Sequence, residues 1–110
     1  MSANVREIQA SDYEREVTSA TVPVVLDFFS TECAPCEALA PKYEAVADQF
    51  AGRVSFFKVF RQGNRELATR LGVSGSPTVL FFKHGQEQGQ RLTGDIKRSE
   101  LKAAVEALLG

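Results

Sequence analysis

At 110 residues, 44% of them hydrophobic and with a formal net charge of −1, the chain can bury one small core and needs no disulfide staples. Near-neutrality excludes a general attraction to nucleic acid or to an anionic membrane, and the one basic cluster, Lys97-Arg98, is too short for a phosphate track. No apolar run approaches the roughly 18 residues of a membrane span, and the opening Met1-Ser2-Ala3-Asn4-Val5-Arg6-Glu7 lacks an apolar signal core, so a monomer in a reducing cytoplasm is expected.

Ser11-Asp12-Tyr13-Glu14 has the form of a capping box and predicts a helix from there to about Ser19. Val24-Val25-Leu26-Asp27-Phe28-Phe29 is apolar except for one acid, the pattern of a central strand covered on both faces. Cys33-Ala34-Pro35-Cys36 follows, at the start of a helix whose Leu39, Tyr43, Val46, Ala47 and Phe50 form one stripe and which Gly52 ends. Pro41 falls inside that pattern, where it removes one hydrogen bond and kinks the helix rather than stopping it. Val54 to Phe60 reads as a strand. Asn64 can cap a short helix through Leu67 and Leu71, with Gly72 as its stop. Thr78-Val79-Leu80-Phe81-Phe82 is a second buried strand, and His84-Gly85 suits a tight turn into a strand around Gln88 to Thr93. Ser99 can cap a final helix carrying Leu101, Val105 and Leu108. No repeat, linker or low-complexity tract divides the order, so residues 1–110 read as a single α/β domain.

The chemistry concentrates at the only two cysteines. Two intervening residues let both sulfurs meet across one helical turn, so a disulfide opens and closes with little backbone movement. The unpaired N–H groups and positive dipole end of a helix N-terminus favour an anion, which stabilises the Cys33 thiolate where it would attack a substrate disulfide. In a reducing compartment a Cys-x-x-Cys beside a βαβ pattern points to redox work rather than to a structural bridge.

Taken together, Val25 to Phe29 with its buried acid, Cys33-Ala34-Pro35-Cys36, Ala40-Pro41, Lys58, Gly75-Ser76-Pro77-Thr78, Gly85 and Gly94 resemble the thioredoxin family, in the family's own order and over nearly the whole chain. The resemblance implies a thioredoxin fold: a central mixed sheet, with parallel strands and a C-terminal antiparallel hairpin, flanked by helices on both faces. It implies a cis peptide before Pro77, and a substrate-binding surface made by Ala34, Pro35, Gly75, Ser76, Pro77 and Gly94. It further implies protein disulfides as substrates, a thioredoxin-reductase-like electron donor, and no cofactor or metal. On this reading Cys33 is the nucleophile that forms a mixed disulfide, and Cys36 is the resolving thiol that releases the reduced substrate. Asp27 is the proton acceptor for Cys36, directly or through water, and Lys58 is the charge partner that limits the cost of burying it. The alternative for Asp27 is a paired structural acid, since buried charge pairs also occur without catalysis.

The departures bear on specificity. Glu32 stands where the family usually has tryptophan, Ala34 where it has glycine, and Glu37 where it has lysine; there is no tryptophan in the chain. An exposed carboxylate at about 7 Å opposes thiolate formation by roughly 0.6–2 kcal/mol, which favours the disulfide and slows attack. Ser76 replaces a common isoleucine or threonine, and Phe60 and Gln62 replace an asparagine and an aspartate. These changes read either as specialisation for a dedicated reductant or a narrow substrate set, or as drift on a scaffold whose activity needs only the sulfurs. The competing classes are a binding module with relic cysteines and a metal site. Joint retention of Cys33, Pro35, Cys36, Asp27, Lys58 and Pro77 argues against the first. Two cysteines and one histidine cannot complete four ligands in one chain, which argues against the second.

Overall fold

The computed structural model describes residues 2–110, so Met1 of the expected 1–110 unit lies outside the described residues. The apolar run Val24–Phe29 forms the central strand β2, which follows a short first strand, β1 (Val5–Glu7), that the sequence pattern did not reveal. β2 is hydrogen-bonded along both edges. On one side it runs parallel to β3 (Ser55–Phe60), and on the other antiparallel to β4 (Thr78–Lys83). β1 adds in parallel to the far edge of β3, while β5 (Gln86–Glu87) and β6 (Leu92–Thr93) both pair antiparallel with β4. The sheet has six strands, and their mixed direction is the one the resemblance implied.

Strand alternation divides the core in two. Val25, Phe56, Val79 and Phe81 point to the face covered by α1 (Ala34–Gln49) and α3 (Arg98–Leu109). Val24, Leu26, Phe28, Phe57, Val59, Leu80 and Phe82 point to the other face, packed by α2 (Arg65–Arg70) and by Ile8 and Val17. Both faces of β2 are therefore buried, which is why its sequence is almost continuously apolar. α1 presents Leu39, Tyr43, Val46 and Ala47 to the sheet and runs unbroken through Pro41. The Tyr43 hydroxyl lies 2.7 Å from the Phe57 carbonyl oxygen and 3.1 Å from that of Val25, so it donates into both β3 and β2 and pins the helix across them.

Several caps differ from expectation. The Ser11–Glu14 capping box does not form, and no α-helix spans Ser11–Ser19. Instead, the Gln9 N–H donates to Asp12 Oδ2, a 3-10 turn covers Ala10–Asp12, and a wider π-type turn covers Glu14–Thr18. The Asp12 carboxylate captures the local backbone before a regular helix can start. α2 begins at Arg65, but Asn64 does not cap it with its side chain. That side chain is recruited by the N-terminal segment: Oδ1 accepts from the Ala10 N–H, and Nδ2 donates to Gln9 Oε1 and the Phe60 carbonyl. α3 starts at Arg98, one residue ahead of Ser99, and the Glu100 carboxylate accepts from the Lys97 N–H at 3.1 Å. His84 and Gly85 both have positive φ, 54° and 75°, and make the expected tight hairpin turn. Of the strand expected from Gln88 to Thr93 only Leu92–Thr93 forms, as β6; β5 lies before it, and Gly89 takes the left-handed region between the two.

Asn64 is 7% exposed, and its side chain ties three segments together. Asn64→Ala leaves the part-buried Ala10 N–H and Phe60 carbonyl short of a partner, and should destabilise the protein by roughly 1–2 kcal/mol. Urea unfolding of the oxidised protein checks this through a lower midpoint at unchanged slope.

Candidate active site

β2 delivers the chain to a short loop, Ser30–Glu32, which turns into α1 at Cys33. Glu32 takes a φ of 52°, a left-handed conformation uncommon for a residue with a side chain, and so reverses the chain just before the cysteine. Cys33 is then the N-cap of α1. Its backbone is extended, Pro35 occupies the first turn where a missing N–H costs nothing, and the Cys33 sulfur accepts from the Cys36 N–H at 3.2 Å. The sulfur thus stands at the N-terminus of α1, the end that carries the positive pole of the helix dipole.

Cys33 and Cys36 are joined by a disulfide, with their Cα atoms 5.2 Å apart. Each cysteine is 8% exposed in this oxidised form, so exposure does not set Cys33 apart from Cys36. The bond presses each sulfur against the other, and what separates the two is their surroundings. The Cys33 sulfur lies 3.6 Å from the Ser76 carbonyl oxygen, whereas Cys36 lines a partly open cavity of 170 Å³ together with Asp27, Lys58 and Glu37.

Asp27 sits opposite Lys58 of β3 and Val79 of β4, and parity with Val25 aims it at α1. It is 5% exposed and Oδ1 has no hydrogen-bond partner. Burial therefore pushes its pKa up, to about 7, and the Lys58 charge only partly offsets that rise. Lys58 does not close an ion pair with it among the described residues. Its Nζ stands 5.5 Å from the Phe29 ring centroid, so the expected partnership acts through space rather than through contact. Phe29 in turn packs on Phe60, centroids 5.5 Å apart.

The Ser76–Pro77 peptide is cis. Gly75, Ser76, Pro77 and Gly94, expected as a binding surface, border one open cleft of 410 Å³. Ala34 and Pro35 are exposed at the start of α1, and Glu32 and Glu37 are exposed on either side of the dithiol. Two contacts went unforeseen. Gln62 Oε1 accepts from both the N–H and the hydroxyl of Thr31, at 2.9 and 3.1 Å, and Arg61 Nε donates to Ser76 Oγ at 2.8 Å. The signal for the second was a serine hydroxyl beside an otherwise apolar proline segment, but its partner lies 15 residues away. Among the described residues no cluster of three or more His, Cys, Asp or Glu side chains is placed to hold a metal ion. No helix among them is long and apolar enough to cross a membrane.

Because Asp27 titrates near 7 when folded and 3.8 is its ordinary value, the folded state holds a proton that the unfolded state has lost between those pH values. Stability should fall by about 1.4 kcal/mol per pH unit across that window, roughly 4 kcal/mol in all. Asp27→Asn should flatten this slope and raise stability at neutral pH. Urea unfolding of the oxidised protein at a series of pH values measures both.

Comparison with known proteins agrees with this geometry. The thioredoxin family model matches residues 4–107. A thioredoxin of Peptoclostridium acidaminophilum is 34% identical over 110 residues, covering 100% of both chains. An M-type chloroplastic thioredoxin of Spinacia oleracea is 30% identical over 96% of this chain, which spans 58% of that relative's length. The crystal structure of Malassezia sympodialis thioredoxin superposes with a TM-score of 0.85 at 32% identity, covering 96% of this chain and 91% of that one. The fold, the cysteine pair and these likenesses together establish that the chain belongs to the thioredoxin family.

Proposed function

We propose that this thiol–disulfide oxidoreductase reduces protein disulfides for a narrow set of partners, in a cytoplasmic setting and as a monomer, drawing its electrons from a dedicated reductant. The observation that carries the reading is the pairing of an N-capping sulfur at Cys33 with a buried, unpaired carboxylate at Asp27, joined through Cys36. In the dithiol form Cys33, favoured as thiolate by the α1 N-terminus, attacks one sulfur of a substrate disulfide. A mixed disulfide forms and the other substrate sulfur leaves as a thiol. Cys36 then attacks the Cys33 sulfur, the substrate's second sulfur leaves, and the Cys33–Cys36 bond closes.

Cys36 must lose its proton for the second step. Asp27 shares its cavity, and 170 Å³ is room enough for a water to relay the proton. A carboxyl with a pKa near 7 is well matched to that task at neutral pH. Lys58 moderates the acid's pKa without neutralising it. Outside the cavity, Ser76 offers its carbonyl beside the Cys33 sulfur, in the position where an extended substrate backbone would pair. The specialisation rests on Glu32 and Glu37, whose exposed carboxylates present a negative rim where the family usually offers tryptophan and lysine. Charge at a rim mainly sets encounter rate and partner choice.

Cys36→Ser should accumulate mixed disulfides through Cys33, detected by mass mapping, while Cys33→Ser should accumulate none. Mixed disulfides that accumulate through Cys36 in Cys33→Ser would reverse the assigned roles. Asp27→Asn should slow release from the mixed disulfide on the order of a hundredfold, with little change in its formation. In the unmodified protein the release rate should climb with pH and level off above about 7, where Asp27 is ionised.

Reduction by a generic thioredoxin reductase should be slow. Glu32→Gln combined with Glu37→Lys should raise its rate roughly tenfold at low salt and less at moderate salt. Full activity of the unmodified protein with that reductase would remove the case for a dedicated one.

A further inference from the structure

We infer that Arg61 is a specificity-determining residue, whose guanidinium recognises a carboxylate on a substrate peptide next to the cysteine under attack. The inference rests on the oxidoreductase reading above and adds to it the chemical class of the substrate. Arg61 is half-buried in the 3-10 turn Arg61–Gly63 that follows β3. Its Nε donates to Ser76 Oγ at 2.8 Å, and the carbonyl oxygen of that same serine lies 3.6 Å from the Cys33 sulfur. A single residue thus separates the guanidinium from the atom at which the mixed disulfide forms.

The bond to Ser76 occupies only one of the five N–H donors. Among the described residues no carboxylate pairs with Arg61, and neither terminal nitrogen has a protein acceptor. Four donors remain, in the planar fork that matches the two oxygens of a carboxylate. Arg91, bordering the nearby cleft, makes the contrast. Its Nε and both terminal nitrogens are committed to Glu87 and to the carbonyls of Leu71 and Gly72, so it braces the fold and has little left for a ligand.

The turn carrying Arg61 is also fixed before any substrate arrives. Gln62 ties it to Thr31 in the loop before the dithiol, Phe60 packs on Phe29, and Arg61 itself reaches the proline segment. Three departures that the sequence left unexplained, Phe60, Gln62 and Ser76, thereby act together: they hold one cation in place beside the reacting sulfur. A guanidinium already immobilised loses less rotamer freedom on binding than a free surface arginine does. Glu32 and Glu37 bear the opposite sign near the dithiol, so an acidic residue gains only when it faces Arg61, and this sets the direction in which the peptide lies.

The test uses the full chain, pre-reduced, in single-turnover reaction with symmetric disulfides of short peptides. One set carries Glu on the N-terminal side of the cysteine and another on the C-terminal side, each with a Gln counterpart. The better Glu peptide should react roughly fivefold faster than its Gln counterpart at low ionic strength, and the ratio should shrink with added salt. Within Arg61→Ala the ratio should fall to about one, and within Ser76→Ala, where the guanidinium is untethered, to an intermediate value. A ratio near one in the unmodified protein, or one that persists in Arg61→Ala, overturns the inference while leaving the oxidoreductase reading intact. Failure of the pre-reduced chain to reduce any of the peptides would overturn both.

Discussion

Everything in the site is placed relative to β2, the strand paired on both edges and buried on both faces. Its two ladders leave the backbone no freedom, so a side chain at its midpoint is held to within a fraction of an ångström of its neighbours on β3, β4 and α1. One position on such a strand is given to a carboxyl. Asp27 gains neither a hydrogen bond at Oδ1 nor an ion pair with Lys58, and no stabilising role accounts for it. A buried acid that weakens the fold at neutral pH, and shares a cavity with a thiol that must ionise, makes physical sense as part of the chemistry.

The same strand aims α1. After Phe29 the chain has three residues in which to turn, and the left-handed Glu32 lets it do so. Cys33 then becomes the N-cap with its sulfur against the Cys36 N–H, while Tyr43, nearly three turns further on, fastens the helix to β2 and β3. Helix polarity and helix position are thus set by different residues. The sulfur's electrostatics come from the first turn and its location from the middle of the helix.

Around the dithiol the surface departs from the family's usual character in a coordinated way. The acids at Glu32 and Glu37 remove an apolar, basic landing area, and the Arg61–Ser76 contact introduces a fixed cation on the proline side. Of these residues only Glu37 also lines the Asp27 cavity.

Much of this was legible in the chain itself. The boundaries of β2 and the buried stripe of α1 follow from apolar spacing, and the His84-Gly85 turn follows from its residue types, because these depend on local geometry and a period. The dithiol and its acid were readable for a similar reason: Cys-x-x-Cys is a local motif, and Asp27 interrupts an otherwise apolar run. What the sequence could not decide was how polar side chains choose among partners remote in the chain. Asn64 was drawn from a cap to Gln9 and Ala10, 55 and 54 residues away, and Gln62 found Thr31 across 31. Lys58, in register with Asp27, turned to the Phe29 ring instead of closing an ion pair. Short edge strands such as β1 were equally silent, since three residues, two of them exposed, carry no period of their own. Hydrophobic order is written locally because burial needs only a face, whereas a hydrogen bond needs a particular atom at a particular distance, and only the folded chain supplies it.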